Sequence, residues 1–423
     1  MDIIVLIEYV DKDAAVKMTQ SVQNETWLRI SRPIRVADDL KLPLPAVDAG
    51  RLACVDLLRG AAMILMALDH TRDFFTGAQF GPEVLAHTSG PIFFTRWVTH
   101  FCAPIFFLLA GTGTYLSLSR GKSLQEVSRF LWTRGIWLVI LDLTVVSYGW
   151  TCVFPNLFAG VLWALGWSMI AMALLIRLPL PAIAVFGTGM ILTHNLLDRL
   201  NPASFGKFAW LWLLLHGHGP WLGVMAIGYC LGALLQRGDW RKIVLTIGSS
   251  AVCAFFILRF FRLYSNGDQS RFGSTAGPWQ LQPTLTLTIV SFFDTLKYPA
   301  SLQYLLMTLG PSLIALGLLS KVNPNHWVAK FVAVFGRVPL FFYVVHIYVV
   351  HVLAIYTALL FKQPVDWLLN GAFMLNMLPE GYGHGPPFIY GMWIVAVLLM
   401  YPLCWLFLRF KQRHPDCWWP RYL

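Results

Sequence analysis

The sequence predicts an all-α membrane protein of about ten transmembrane helices, and three observations carry that prediction. Of 423 residues, 57% are hydrophobic and only 13% are charged. The charged residues gather between long apolar runs instead of forming the polar faces that soluble helices need. Lys and Arg, finally, fall mostly on one side of those runs. Segments such as 135–155, 221–235, 243–256 and 389–407 approach or exceed the length a helix needs to cross about 30 Å of hydrocarbon. Irregular backbone in lipid would leave N–H and C=O groups unpaired, so these runs are read as helices.

Residues 1–50 stand apart from this pattern. Asp11, Lys12, Asp13, Arg29, Arg32, Arg35, Asp38, Asp39 and Pro43 leave no apolar core long enough for a signal peptide. The expectation is a loosely ordered cytoplasmic arm, followed by a membrane domain over 51–423. Spans are expected near 53–76, 93–118, 135–155, 158–176, 178–196, 209–236, 242–260, 299–320, 338–361 and 388–408. With both termini in the cytoplasm, the inner segments hold Arg120, Lys122, Arg129, Arg134, Arg237, Arg241, Lys242, Arg409, Lys411 and Arg413. The net charge of +11 then reflects orientation in the bilayer, and no nucleic-acid partner is needed to explain it.

The sixth span is expected to be interrupted at Leu215–Pro220, where two glycines and a proline alternate with His216 and His218. Beyond it, Gly228 and Gly232 have the small-xxx-small spacing that serves packing within the chain or a homodimer. Of the seven cysteines, Cys102, Cys230, Cys253 and Cys404 lie inside apolar runs, while Cys54 and Cys417 face the reducing side. They are read as small buried side chains. No His-x3-His or Cys-x2-Cys spacing supports a metal site.

Polar groups inside spans are costly in lipid, so each marks a site or a wet cavity. The first span carries Arg59, Asp69, His70, Arg72 and Asp73. Arg59 and His70 are eleven residues apart, within about 20° of one helix face and roughly 16 Å along the axis. Asp69 and Arg72 are spaced to pair at i, i+3. The second span repeats the theme with Arg96, His100 and Pro104 at intervals of four, a basic stripe ending in a kink. His70, His87, His100, His194, His216, His218, His346, His351 and His384 all fall in the outer half or outer loops, too many for one site. His346 and His351 lie about 140° apart on their helix and cannot share a face. Asp142, alone in an apolar run, is expected to pair with a basic residue of another helix.

Arg59, ten residues and His70 reproduce the Arg-x10-His pattern of membrane acyltransferases that O-acylate bacterial surface sugars. Over 51–423 the chain more closely resembles the catalytic domain of heparan-alpha-glucosaminide N-acetyltransferase and its bacterial relatives. The likeness rests on Val55–Met66, Phe106–Gly113, Leu162–Trp167, His194–Asp198, Pro220–Gly228, Leu296–Ser301 and Phe335–His346. It implies transfer of acetyl from cytosolic acetyl-CoA to a sugar amine or hydroxyl beyond a bacterial inner membrane. In the human enzyme an asparagine stands where His70 stands here, and the histidine usually called catalytic lies in the following loop, where His87 is the nearest match. That loop differs in length, and His70, which also satisfies the acyltransferase pattern, is the preferred base. Asp69 is expected to orient its imidazole, and Arg96 or His100 to stabilise the oxyanion. Arg59 is expected to hold the CoA phosphates, with Arg96 and His346 as further donor contacts. The rival readings are a proton-coupled transporter, which would use the same buried His, Asp and Arg, and a non-catalytic assembly partner.

Overall fold

A computed structural model describes residues 49–419 apart from 79–80, 82, 85–86, 155–158, 201, 265–277, 372–377, 415–416 and 418. All but the last two residues of the expected N-terminal arm lie outside the described residues, as do the side chains of Asp198 and His218. The chain folds as helices: α1 (Ala49–Phe75), α2 (Gly90–Thr99), α3 (Cys102–Ser119), α4 (Leu124–Leu141), α5 (Ser147–Thr151), α6 (Val161–Leu175), α7 (Leu180–Thr193), α8 (Ala209–Leu234), α9 (Trp240–Phe260), α10 (Leu285–Phe293), α11 (Leu302–Leu319), α12 (Trp327–Arg337), α13 (Pro339–Leu360), α14 (Asp366–Leu369) and α15 (Pro386–Arg413). Among the described residues, seven helices are long and apolar enough to cross a membrane. α1, which carries the charges, and the shorter apolar stretches Val161–Leu175 and Gly219–Leu234 coincide with the remaining expected spans. The protein is therefore an all-α membrane protein.

α1 is the hub, packing against α2, α3, α11, α12, α13 and α15. Its neighbours approach closely where glycine removes the Cβ. At Gly111 a Cβ would sit 1.9 Å from the Met225 carbonyl oxygen, and at Gly228 it would sit 2.0 Å from that of Leu108. These two glycines let α3 and α8 cross at backbone contact. Gly232 is filled by Thr112 and Tyr115 of the same helix α3, so this spacing serves packing within the chain. α4 and α6 meet the same way through Gly135 and Gly166.

Two expectations are corrected. α8 runs unbroken from Ala209 to Leu234 with Pro220 inside it, because in a membrane bundle neighbouring helices can support the backbone group that proline frees. Among the described residues Asp142 pairs with no basic side chain; its Oδ2 accepts from the backbone N–H of Gly160 at 2.6 Å and of Trp163 at 3.0 Å. It thereby satisfies orphan donors at the start of α6. The expected break near Pro104 is present: α2 ends at Thr99 and α3 begins at Cys102. The proline ring clashes with the carbonyl four residues back, and that carbonyl, of His100, is taken up by the Tyr304 hydroxyl at 2.8 Å. All seven cysteines are free.

Candidate functional site

The C-terminal part of α1 borders a cavity of about 1020 Å³. Met66, Asp69, His70, Arg72 and Asp73 supply one wall; Thr95, Arg96, Thr99, Phe106 and Phe107 of α2 and α3 supply another. Trp150, Gly160, Val161, Trp221, Tyr343 and Tyr390 enclose it, and Lys297, Tyr298 and His384 reach it from connecting segments. Trp150 follows a π turn at Asp142–Val146, whose extra residue rotates the next helical face. The loop before α15 is strapped to the end of α1: the His384 N–H donates to the Phe75 carbonyl at 2.8 Å and the Tyr382 hydroxyl to that of Phe74 at 2.7 Å.

His70 does not stand alone. Its Nδ1 lies 2.6 Å from Nε2 of His346 on α13, with the rings stacked at 4.9 Å between centroids. His346 Nδ1 in turn lies 2.8 Å from the Phe342 carbonyl oxygen. A carbonyl only accepts, so His346 Nδ1 carries a proton and, in the neutral ring, its Nε2 is an acceptor. His70 Nδ1 must then be the donor, which leaves its Nε2 lone pair as the available base on a ring that lines the cavity. Trp150 sets its edge against His70 at 4.8 Å, and Phe342 stacks on His346 at 5.1 Å. The imidazole pair is thus fixed in both tautomer and tilt.

Asp69 belongs to a different network. It accepts from Arg96 at 2.5 Å and from the Thr99 hydroxyl at 2.9 Å, and pairs with Arg72 at 2.9 Å. Arg72 also bonds Asp73, and Arg96 reaches Glu83 at 3.2 Å. Glu83, in the connection between α1 and α2, also meets His100 Nε2 at 3.3 Å. Burial alone would push the Glu83 carboxyl up, but the hydrogen bond to His100 and the charge of Arg96 outweigh it and hold the carboxyl below the ordinary range.

The predicted residues therefore separate. His70 and Arg96 line the cavity, as does Asp69, which has Arg96, Arg72 and Thr99 as partners in place of the imidazole. His346 is fully buried behind His70, an orienting position that faces no donor. His100 is buried against Glu83 and Tyr304, and His87 is exposed in a turn; neither borders the cavity. Arg59 lies seven residues below Met66, about 10 Å along the axis. There it donates to the Gly336 carbonyl at 3.0 Å and pairs with Asp56 at 3.5 Å.

Sequence reasoning passed over Lys297, Tyr343 and Trp150. On the expected topology only Lys297 left a signal, as a cation on the outer side against the inner bias of Lys and Arg. Among the described residues no group of three or more His, Cys, Asp or Glu is arranged to hold a metal ion.

The family model for the catalytic domain of heparan-alpha-glucosaminide N-acetyltransferase matches residues 51–260. This region contains α1, apart from its first two residues, through α9 and hence most of the cavity wall, while His346, Lys297 and His384 come from beyond it. A comparison with curated proteins finds no match.

Proposed function

We propose, from the premise that this chain is a membrane acetyltransferase with a heparan-alpha-glucosaminide N-acetyltransferase catalytic domain over residues 51–260, that it moves acetyl from acetyl-CoA to a sugar amine or hydroxyl reached from the outer side. The observation that carries this reading is the 2.6 Å bond between His70 and His346 at a cavity wall. It supplies a neutral imidazole with one nitrogen occupied and the other free to accept a proton, the state a general base requires.

The reaction runs in two steps. The acceptor lone pair attacks the thioester carbonyl while His70 Nε2 takes its proton, and the carbonyl electrons move onto oxygen. Collapse of that tetrahedral adduct expels the CoA thiolate, which recovers the proton from His70. His346 holds the ring throughout and shares the imidazolium charge through its Nε2. Arg59, at the cytoplasmic end of the same helix face and roughly 16 Å away, is the proposed contact for the donor phosphates. An extended pantetheine arm spans such a distance.

Purified protein in detergent, given acetyl-CoA labelled in the acetyl group and glucosamine as acceptor, should release CoA and form labelled N-acetylglucosamine. No CoA release with either glucosamine or water as acceptor would contradict the reading. Solute flux in proteoliposomes without CoA release would move the assignment to the transporter class.

A further inference from the structure

We propose that Lys297 is a catalytic residue of this transfer, the cation that stabilises the oxyanion of the tetrahedral adduct. The inference rests on the acetyltransferase reading above and adds to it the electrophilic half of the site.

Among the described residues, three Lys or Arg side chains line the cavity: Arg72, Arg96 and Lys297. The two arginines are already neutralised. Arg72 is held between Asp69 and Asp73, and Arg96 between Asp69 and Glu83. The charge of a guanidinium held between two carboxylates is already compensated, and drawing it away toward a developing oxyanion would strand a buried carboxylate. Lys297 has no hydrogen bond or ion pair to a described residue. Its ammonium rests over the ring of its own neighbour Tyr298, 5.1 Å from the centroid, a weak contact that a flexible stem can exchange for an anion. Lys297, Asp69 and His70 line the same cavity, so the cation and the base serve the same space.

The segment that presents Lys297 is built to hold it there. Arg259, 1% exposed, donates to the carbonyls of Ser291 at 2.8 Å, Phe292 at 2.7 Å and Asp294 at 2.5 Å, and to Gln303 at 3.0 Å. It closes the end of α10 and fixes the turn from which Lys297 projects. The Ser301 N–H then donates to the Leu296 carbonyl at 3.0 Å, pinning the far side. Such an anchored but unpaired cation suits charge that exists only in the transition state, since an ammonium tied to a carboxylate beforehand would have little left to offer.

The step balances without further reagents. Attack on the thioester places one negative charge on the carbonyl oxygen, facing the Lys297 ammonium, and the acceptor's proton goes to His70. Collapse returns the electron pair to the carbonyl, the carbon–sulfur bond breaks, and CoA leaves.

The test compares wild type, Lys297→Met and Lys297→Arg in detergent, with glucosamine as the probe acceptor. Glucosamine carries no anionic group, so a loss measured with it is not the loss of an acceptor salt bridge. Lys297→Met should lower kcat roughly 10²- to 10³-fold, the usual effect of deleting an oxyanion donor. The donor KM should stay within about threefold and the thermal midpoint unchanged, and Lys297→Arg should recover at least about tenfold of the loss. Should Lys297→Met fold poorly, Lys297→Gln takes its place in the same comparison. Wild-type kcat kept within threefold in a well-folded neutral variant overturns the proposal. A loss confined to donor KM also overturns it and would mark Lys297 as a phosphate contact. An inactive wild type, releasing no CoA to glucosamine or water, overturns the acetyltransferase reading and this inference with it.

Discussion

At the scale of residues, the chemistry turns on which nitrogen of His70 is free. The chain of acceptors from the Phe342 carbonyl through His346 to His70 fixes the tautomer without any carboxylate, and in the proposed mechanism His346 takes the part an aspartate plays in other base pairs. His346→Leu removes the acceptor and should lower kcat by at least about tenfold with little change in donor KM. His346→Gln, whose side-chain oxygen can accept from His70 Nδ1, should recover much of the loss; equal defects in the two variants would reduce His346 to packing. The place of His70 at the cavity wall was legible in the sequence because its partner in the pattern, Arg59, lies on the same helix, where spacing fixes geometry. His346 is 276 residues away, and no local periodicity reports which buried imidazoles meet across a bundle. Asp69 misled for the converse reason: adjacency to His70 in sequence points the two side chains about 100° apart on a helix, and its neighbours in space are Arg72, Arg96 and Thr99.

At the scale of elements, the cavity depends on how closely the helices around it approach. Most spans were readable from apolar length, since lipid leaves the backbone few alternatives to a helix. The unbroken α8 was not, because glycine and proline read as a break when judged by rules drawn from water-soluble chains. Its crossing with α3 rests on Gly111 and Gly228, each facing a carbonyl of the partner helix. Gly228→Val should separate the two helices and with them the wall formed by Phe106, Phe107 and Trp221, giving a marked fall in the thermal midpoint in detergent. Gly391→Ala, where an added Cβ meets nothing within 4 Å, is the control expected to stay near wild type. Comparable midpoints for the two variants would show that the crossing tolerates a side chain.

On the scale of the whole molecule, the charge distribution and the site point in one direction. On the expected topology Arg59 lies toward the basic face, while the cavity, the loop strapped to the end of α1 and Lys297 lie toward the other. Both termini are therefore proposed to be cytoplasmic, and reporter fusions at Asn323 and at Glu380 should report opposite sides of the membrane. A common side would refute the ten-span arrangement. In the proposed orientation, donor and acceptor would have separate approaches to His70, one from each side of the bilayer. Proteoliposomes test that arrangement most directly, with acetyl-CoA trapped inside and a membrane-impermeant glucosamine oligosaccharide outside, wild type against His70→Ala. Wild type should acetylate the external acceptor, and His70→Ala should lose roughly 10²- to 10⁴-fold in rate while still binding acetyl-CoA. Transfer by a well-folded His70→Ala protein within threefold of wild type, under about 1 kcal/mol of barrier, would contradict the assignment of His70 as the base.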